Sequence, residues 1–208
     1  MQTTLTNRLG LHPVRTFARS AGATLPGRIA LGLAATAFIA LAAHVAFPLW
    51  FTPVPLTLQP LAVLLVGLAF GPIGGFLTLL AYLAEGACGL PVFAPSGLGG
   101  LAVLHGFTAG YLLAYPLVAA IAGGLSRALG RRFSLFAAAL IACIAATVLL
   151  FLAGAGWFMA LTHFSLRAVW LETVAPFLPG EAIKILAAAG IYSTLRRSHH
   201  NDPPASRI

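Results

Sequence analysis

Pro176-Phe-Leu-Pro-Gly-Glu-Ala-Ile-Lys-Ile-Leu186 is the stretch on which the fold turns. It opens an apolar run that reaches residue 195, and it carries Glu181 and Lys184, the only lysine in the chain. If that run crosses a membrane, both charges lie inside the span. An ionisable residue there costs roughly 2.5–3.5 kcal/mol on insertion scales, so it marks a functional site by default. Pro179 and Gly180 predict a kinked start to the helix, and a helix N-terminus presents free N–H groups to an anion.

The composition decides that the run does cross a membrane. Hydrophobic residues make up 60% of the chain, charged residues 8%, and the mean hydropathy is +0.96. A soluble domain carries about 25% charged residues. The acids are Glu85, Glu172, Glu181 and Asp202. In a soluble protein the net charge of +8 points to nucleic acid. Here the arginines flank apolar segments, so they report orientation in the bilayer and no nucleic-acid partner is expected. At about 20 residues per span, 208 residues hold five or six helices and no separate soluble domain. Cys88 and Cys143 sit in apolar runs and read as buried, inert thiols.

Six apolar segments can be drawn, at 29–50, 57–71, 73–90, 106–125, 133–161 and 177–195. Only Gly71-Pro72 separates the second from the third. The arginines fall at 8, 15, 19 and 28, at 127, 131 and 132, and at 196, 197 and 207, with Arg167 apart. Six spans with a cytoplasmic N-terminus put all these groups inside except Arg167, as the positive-inside rule asks. The expected fold is an all-α integral membrane protein, a compact bundle of six transmembrane helices with both termini cytoplasmic. Residues 1–28 form a basic arm, 29–195 the membrane domain and 196–208 a tail. The arm has arginines and no acid, which also resembles an organellar presequence; we read it as a cytoplasmic arm held by anionic membrane lipids. The outer segments are then 50–57, 90–106 and 162–176. The first two, rich in Pro, Gly and aromatic residues, read as lids that pack over something.

Glu181 and Lys184 are three residues apart and share a helix face. One reading is a self-neutralising pair. The other is a ligand site in which Lys184 meets a carboxylate and Glu181 accepts N–H groups. Gln59 can hydrogen-bond the same ligand or a neighbouring helix. Tyr82, Tyr111 and Tyr115 read as an aromatic wall or an interface belt, and Trp157 as a belt residue. Glu85 either pairs with a neighbour or lines the chamber. His44 reads as a satisfied polar group; His105 and His163 lack a third ligand, so no metal site is expected. The inner half of the spans holds no chain of titratable groups, which argues against a proton pump. Small residues run along the first span, with Ala30 and Ala34 on one ridge; such ridges serve internal packing or docking to another membrane protein.

These segments, in this order, resemble the BioY family, the biotin-capturing S component of energy-coupling-factor (ECF) vitamin transporters. The resemblance covers about residues 29–195. It rests on Pro53-Val-Pro-Leu-Thr-Leu-Gln59, Leu65 through Gly71-Pro72, Gly89-Leu-Pro-Val-Phe93, Gly110-Tyr111 and Pro176 through Lys184. It implies a six-helix fold and an outer-face biotin pocket closed by the first and third outer-side loops; in this chain the segments at 50–57 and 90–105 are expected to close over the ligand. The family's aspartate and lysine contacts on the last helix fall at Glu181 and Lys184, a glutamate standing in the aspartate position. Before the fourth span the family commonly reads Gly-Pro-Thr-Gly-Gly-Tyr; this chain reads Gly106-Phe-Thr-Ala-Gly-Tyr111. The resemblance and the residues together nominate Lys184, Glu181, Gln59, Tyr111, Thr108, Phe93 and Tyr82 for the substrate, and Ala30 and Ala34 for docking.

Biotin suits that set, with a carboxylate, two ureido N–H groups and an apolar body. The resemblance implies a membrane-embedded T component and two ATPase subunits as partners in the bacterial cytoplasmic membrane. The chain has no Gly-x-x-x-x-Gly-Lys-Ser/Thr loop, so no cofactor is expected on it; ATP is hydrolysed by partner subunits where an energising module is used. Transport without that module stays open. An S component for another carboxylated vitamin is one alternative. An intramembrane enzyme with Glu181 or His163 as base is another, though no paired carboxylates or nucleophile set supports catalysis.

Overall fold

A computed structural model describes residues 24–95 and 99–200. Most of the expected basic arm, and the tail beyond His200, lie outside these residues. Helix α1 spans Leu25–His44. The Thr24 hydroxyl accepts a hydrogen bond from the Gly27 N–H at 3.3 Å, and Pro26 sits in the first turn, where no amide donor is needed. The helix stops six residues short of the expected Trp50 because Pro48, Pro53 and Pro55 crowd the next stretch. Proline lacks the donor a helix interior requires but is tolerated in a short, edge-like strand. The chain forms a β-hairpin instead, with β1 at Ala46–Leu49 antiparallel to β2 at Thr52–Thr57. Ala46 faces Thr57 and Leu49 faces Thr52. This hairpin corrects the all-α expectation at the first outer segment.

Helix α2 is assigned over Gln59–Ala87, across both the second and third expected segments. It is interrupted at Gly71, where φ is 79° and ψ −174°, a conformation that favours glycine. The chain folds back on itself there. Gln59 Nε2 lies 2.9 Å from Tyr82 Oη, whereas residues that far apart in one straight helix would be separated by about 35 Å at 1.5 Å per residue. A Cβ on Gly75 would likewise sit 3.1 Å from Gly67 Cα. The Arg127 guanidinium covers the bend, within 2.3 Å of where a Gly71 Cβ would be.

A 3₁₀ turn at Gly100–His105 leads into α3, Ala109–Leu129. Helix α4, Leu135–Thr162, is capped by the Ser134 hydroxyl and ends at His163, whose φ is 56°. The third outer segment is not a plain loop: it carries α5, Leu166–Thr173, capped by Ser165, and a 3₁₀ turn at Ala175–Phe177. Helix α6 runs from Leu178 to His200. By length and composition, five segments among the described residues are long and apolar enough to cross a membrane. Large apolar side chains such as Leu41, Ile73, Leu152 and Ile183 point outward, as lipid-facing residues do.

Small residues set how closely the helices approach. A Cβ on Gly67 would lie 2.4 Å from the Ala119 carbonyl oxygen, and one on Gly123 would lie 2.3 Å from that of Gly67. Such backbone-to-backbone contact between α2 and α3 is how membrane helices gain van der Waals energy where lipid removes the hydrophobic drive. Ile39, Leu64, Leu79, Val118 and Cys143 fill the core behind it. Cys88, by contrast, is exposed, which corrects its reading as a buried thiol.

The bundle has two unlike ends. The β-hairpin, Gln59, Tyr82 and the start of α6 gather at one. The Gly71 bend, Arg127 and the C-terminal part of α6, where Arg196 stacks 5.8 Å over the Tyr192 ring, form the other.

Candidate functional site

At the hairpin end the bundle encloses a cavity of about 480 Å³, within the range of small-ligand pockets. Its roof is the β-hairpin, through Leu49, Thr52, Val54 and Thr57, together with Phe93 to Pro95 of the segment after α2. The turn before α3 supplies Gly106 and Thr108, α3 itself Tyr111 and Tyr115, and α4 supplies Leu150 and Phe151. Helix α6 closes the floor with Glu181 and Lys184. Both lids read from the sequence therefore do face one chamber.

The lining is mostly apolar, so its polar groups can be taken one at a time. Lys184 Nζ donates to Glu181 Oε1 at 2.5 Å. Both residues are buried, at 6% and 5% exposure. The other carboxylate oxygen, Glu181 Oε2, is buried without a hydrogen-bond partner. An unsatisfied buried acceptor costs on the order of 1–3 kcal/mol, more when charged. The local sequence explains the placement: Leu178 and Pro179 begin α6 just below the Phe177 turn, so the first full turn of the helix points Glu181, and the next Lys184, at the chamber.

The hydroxyls of Thr52 and Thr57 are engaged locally, accepting from the Val54 and Gln59 backbone N–H groups. Tyr111 donates its hydroxyl to the Thr173 carbonyl at 2.7 Å and tethers the α5 segment to α3. Its ring lies where a side chain at Gly154 would be, 2.2 Å from such a Cβ.

Of the nominated residues, Lys184, Glu181, Gln59, Tyr111, Thr108 and Phe93 all line the cavity. Tyr82 does not. It sits behind the wall, fully buried, with its hydroxyl on the Val92 carbonyl at 2.7 Å and its ring edge-on to Phe93 at 5.5 Å. Glu85 pairs with a neighbour: Thr36 Oγ1 of α1 donates toward its carboxylate at 3.0 Å. Trp157 is more than a belt residue, since its Nε1–H donates to the Gly106 carbonyl at 3.0 Å and holds the start of α3 against α4. Ala30 and Ala34 lie on the exposed side of α1. His44, His105 and His163 are exposed and away from the lining, and no three His, Cys, Asp or Glu side chains gather among the described residues.

Leu150, Phe151, Val103 and Phe177 were not anticipated as lining residues. Helix α4 is apolar on every side, so periodicity gives no sign of which face meets a ligand.

Residues 15–201 match the BioY family. A probable biotin transporter BioY of Pyrococcus horikoshii is 36% identical over 69% of this chain and 82% of its own. The biotin transporter BioY of Rhodobacter capsulatus is 33% identical over 79% of this chain and 90% of its own. Among solved structures, the S-component for biotin from an ECF-type ABC transporter superposes with a TM-score of 0.74 at 26% identity, covering 82% of this chain and 90% of the other.

Proposed function

This chain belongs to the BioY family, and on that premise we propose that it captures biotin for uptake, as the substrate-binding component of an ECF-type vitamin transporter and not as an enzyme. The observation that carries the reading is the Glu181–Lys184 ion pair, buried in the wall of a mostly apolar cavity.

The contact between the two side chains bears on how they would hold biotin. Because they touch, they meet one part of the ligand and not its two ends. A cyclic urea sets an N–H beside a C=O along one edge. The Glu181 carboxylate accepts from the N–H, and Lys184, with two hydrogens left after Glu181, donates to the carbonyl. This replaces the sequence-based assignment of Lys184 to the carboxylate, which the valeryl chain carries away from the ring. Thr108, Tyr111, Phe93 and Gln59 complete the wall around the bicyclic ring.

Counting the two arms of α2 separately gives six crossings, so both termini lie on one side. Arginine placement supports the cytoplasm as that side, with the cavity facing out, and the membrane we infer is the bacterial inner membrane. The arms are short, and local bilayer thinning accommodates them. Biotin enters beneath the hairpin and the 90–105 segment. The loaded protein docks through the Ala30–Ala34 ridge onto a T component, and two ATPase subunits there hydrolyse the ATP that tips the bundle. Native mass spectrometry of protein purified from biotin-containing medium tests the substrate. A species heavier by one biotin is expected; a bare protein under conditions that preserve micromolar complexes contradicts the proposal.

A further inference from the structure

Tyr82 makes two hydrogen bonds that together decide what Gln59 can offer a ligand. The Val92 carbonyl, 2.7 Å from Tyr82 Oη, can only accept, so the phenolic proton is committed to it. Tyr82 Oη is then left with lone pairs alone toward Gln59. The group 2.9 Å from it must be the Gln59 NH₂, and the amide orientation follows from chemistry. Gln59 Oε1 is therefore the end turned away from Tyr82. It makes no hydrogen bond, yet it is not among the fully enclosed unsatisfied atoms. Gln59 itself is 3% exposed and lines the cavity, so the surface that oxygen keeps is cavity surface.

We propose that Tyr82, though it touches no ligand, is the positioning residue that locks Gln59 as a hydrogen-bond acceptor and so makes the pocket selective for a second N–H donor. Resting on the biotin reading, this gives the ureido group three contacts: Glu181 accepts one N–H, Lys184 donates to the carbonyl, and Gln59 accepts the other N–H. A free glutamine would accept or donate as the ligand required, and the site would not distinguish N–H from oxygen. Gly86 supports the same arrangement from behind. A Cβ there would fall 2.1 Å from the Phe93 ring, so glycine lets Phe93 and Val92 settle against Tyr82.

The test uses full-length protein in detergent, biotin, and the two cyclic carbamates in which one or the other ureido N–H is replaced by oxygen. Each carbamate removes one donor without adding bulk. Wild type should bind both roughly tenfold or more weaker than biotin, since each leaves a buried acceptor facing oxygen. In Tyr82→Phe, discrimination against one isomer should fall to within about threefold, because the freed amide can turn its NH₂ to the ring oxygen. Discrimination against the other isomer, which faces Glu181, should stay. Gln59→Leu should relax the same isomer, which keeps the test decisive if Tyr82→Phe folds poorly. Equal weakening toward all three ligands, or unchanged discrimination in both variants, overturns the positioning role while leaving biotin capture intact. Wild type that binds no biotin sinks both.

Discussion

Lys184 Nζ and Glu181 Oε1 are 2.5 Å apart, one turn of α6 from each other, while the second oxygen of Glu181 is buried without a hydrogen-bond partner. The two charges offset each other, and Lys184 keeps two N–H donors beyond the one given to Glu181. A buried pair of this kind contributes little net stability, but removing one partner leaves an uncompensated charge.

Glu181→Gln therefore has two expected effects. Lys184 loses its counter-charge, which destabilises the bundle by about 3–5 kcal/mol if the ammonium stays charged. The charged acceptor for the ureido N–H also goes, and biotin affinity should fall more than tenfold. Glu181→Asp keeps the charge on an arm one methylene shorter and should hold affinity within a few-fold. Thermal melts with and without biotin separate the two effects: stability loss moves both curves, and binding loss removes the shift between them.

The helix hairpin of α2 gives a packing prediction. Gly67→Val places methyl groups against the Ala119 backbone, where even a Cβ would be 2.4 Å from the carbonyl oxygen. Backbone cannot yield as a side chain does, so the helices must part. A loss of about 1–3 kcal/mol or more is expected, read as a lower melting temperature or failure to accumulate in the membrane. Gly32→Val is the control, since no atom lies within 4 Å of a Cβ there, and it should leave the melt unchanged.

The proposed docking ridge can be tested separately from binding. Ala34 is exposed on α1 and is not part of the cavity lining. Ala34→Trp should leave biotin affinity unchanged and stop uptake in cells that also produce an energising module. Normal uptake at normal expression removes the docking role of this ridge.

Thr36 bridges α1 to the second arm of α2 through Glu85. The one Thr36 hydroxyl proton is shared between Glu85 and the Leu33 carbonyl, each 3.0 Å away, and Thr36→Val keeps the shape while removing it. A loss of about 1–3 kcal/mol is expected from the melt. Thr36→Ser should restore most of it.

Much of this was legible in the sequence, for identifiable reasons. Helix positions followed from apolar runs, and the buried charges on α6 stood out because nothing else in the run is charged. The cavity's roof was read correctly as lid-like, but its hairpin was not, since closely spaced prolines exclude helix without naming what replaces it. Tyr82 was placed in the wall when it stands behind it. Aromatic content does not reveal facing, and the contact that defines its place joins residues separated by a bend at Gly71. Leu150 and Phe151 were invisible because a helix apolar on all sides carries no directional signal.

The most direct test of the central claim is calorimetric titration of biotin into detergent-solubilised wild type and Lys184→Ala. The account predicts saturable binding by the wild type and a more than tenfold weaker affinity in the variant, because the ureido carbonyl loses its cation in a low-dielectric wall. Equal affinity in the two proteins, with both folded, contradicts it: the lysine would then serve only Glu181.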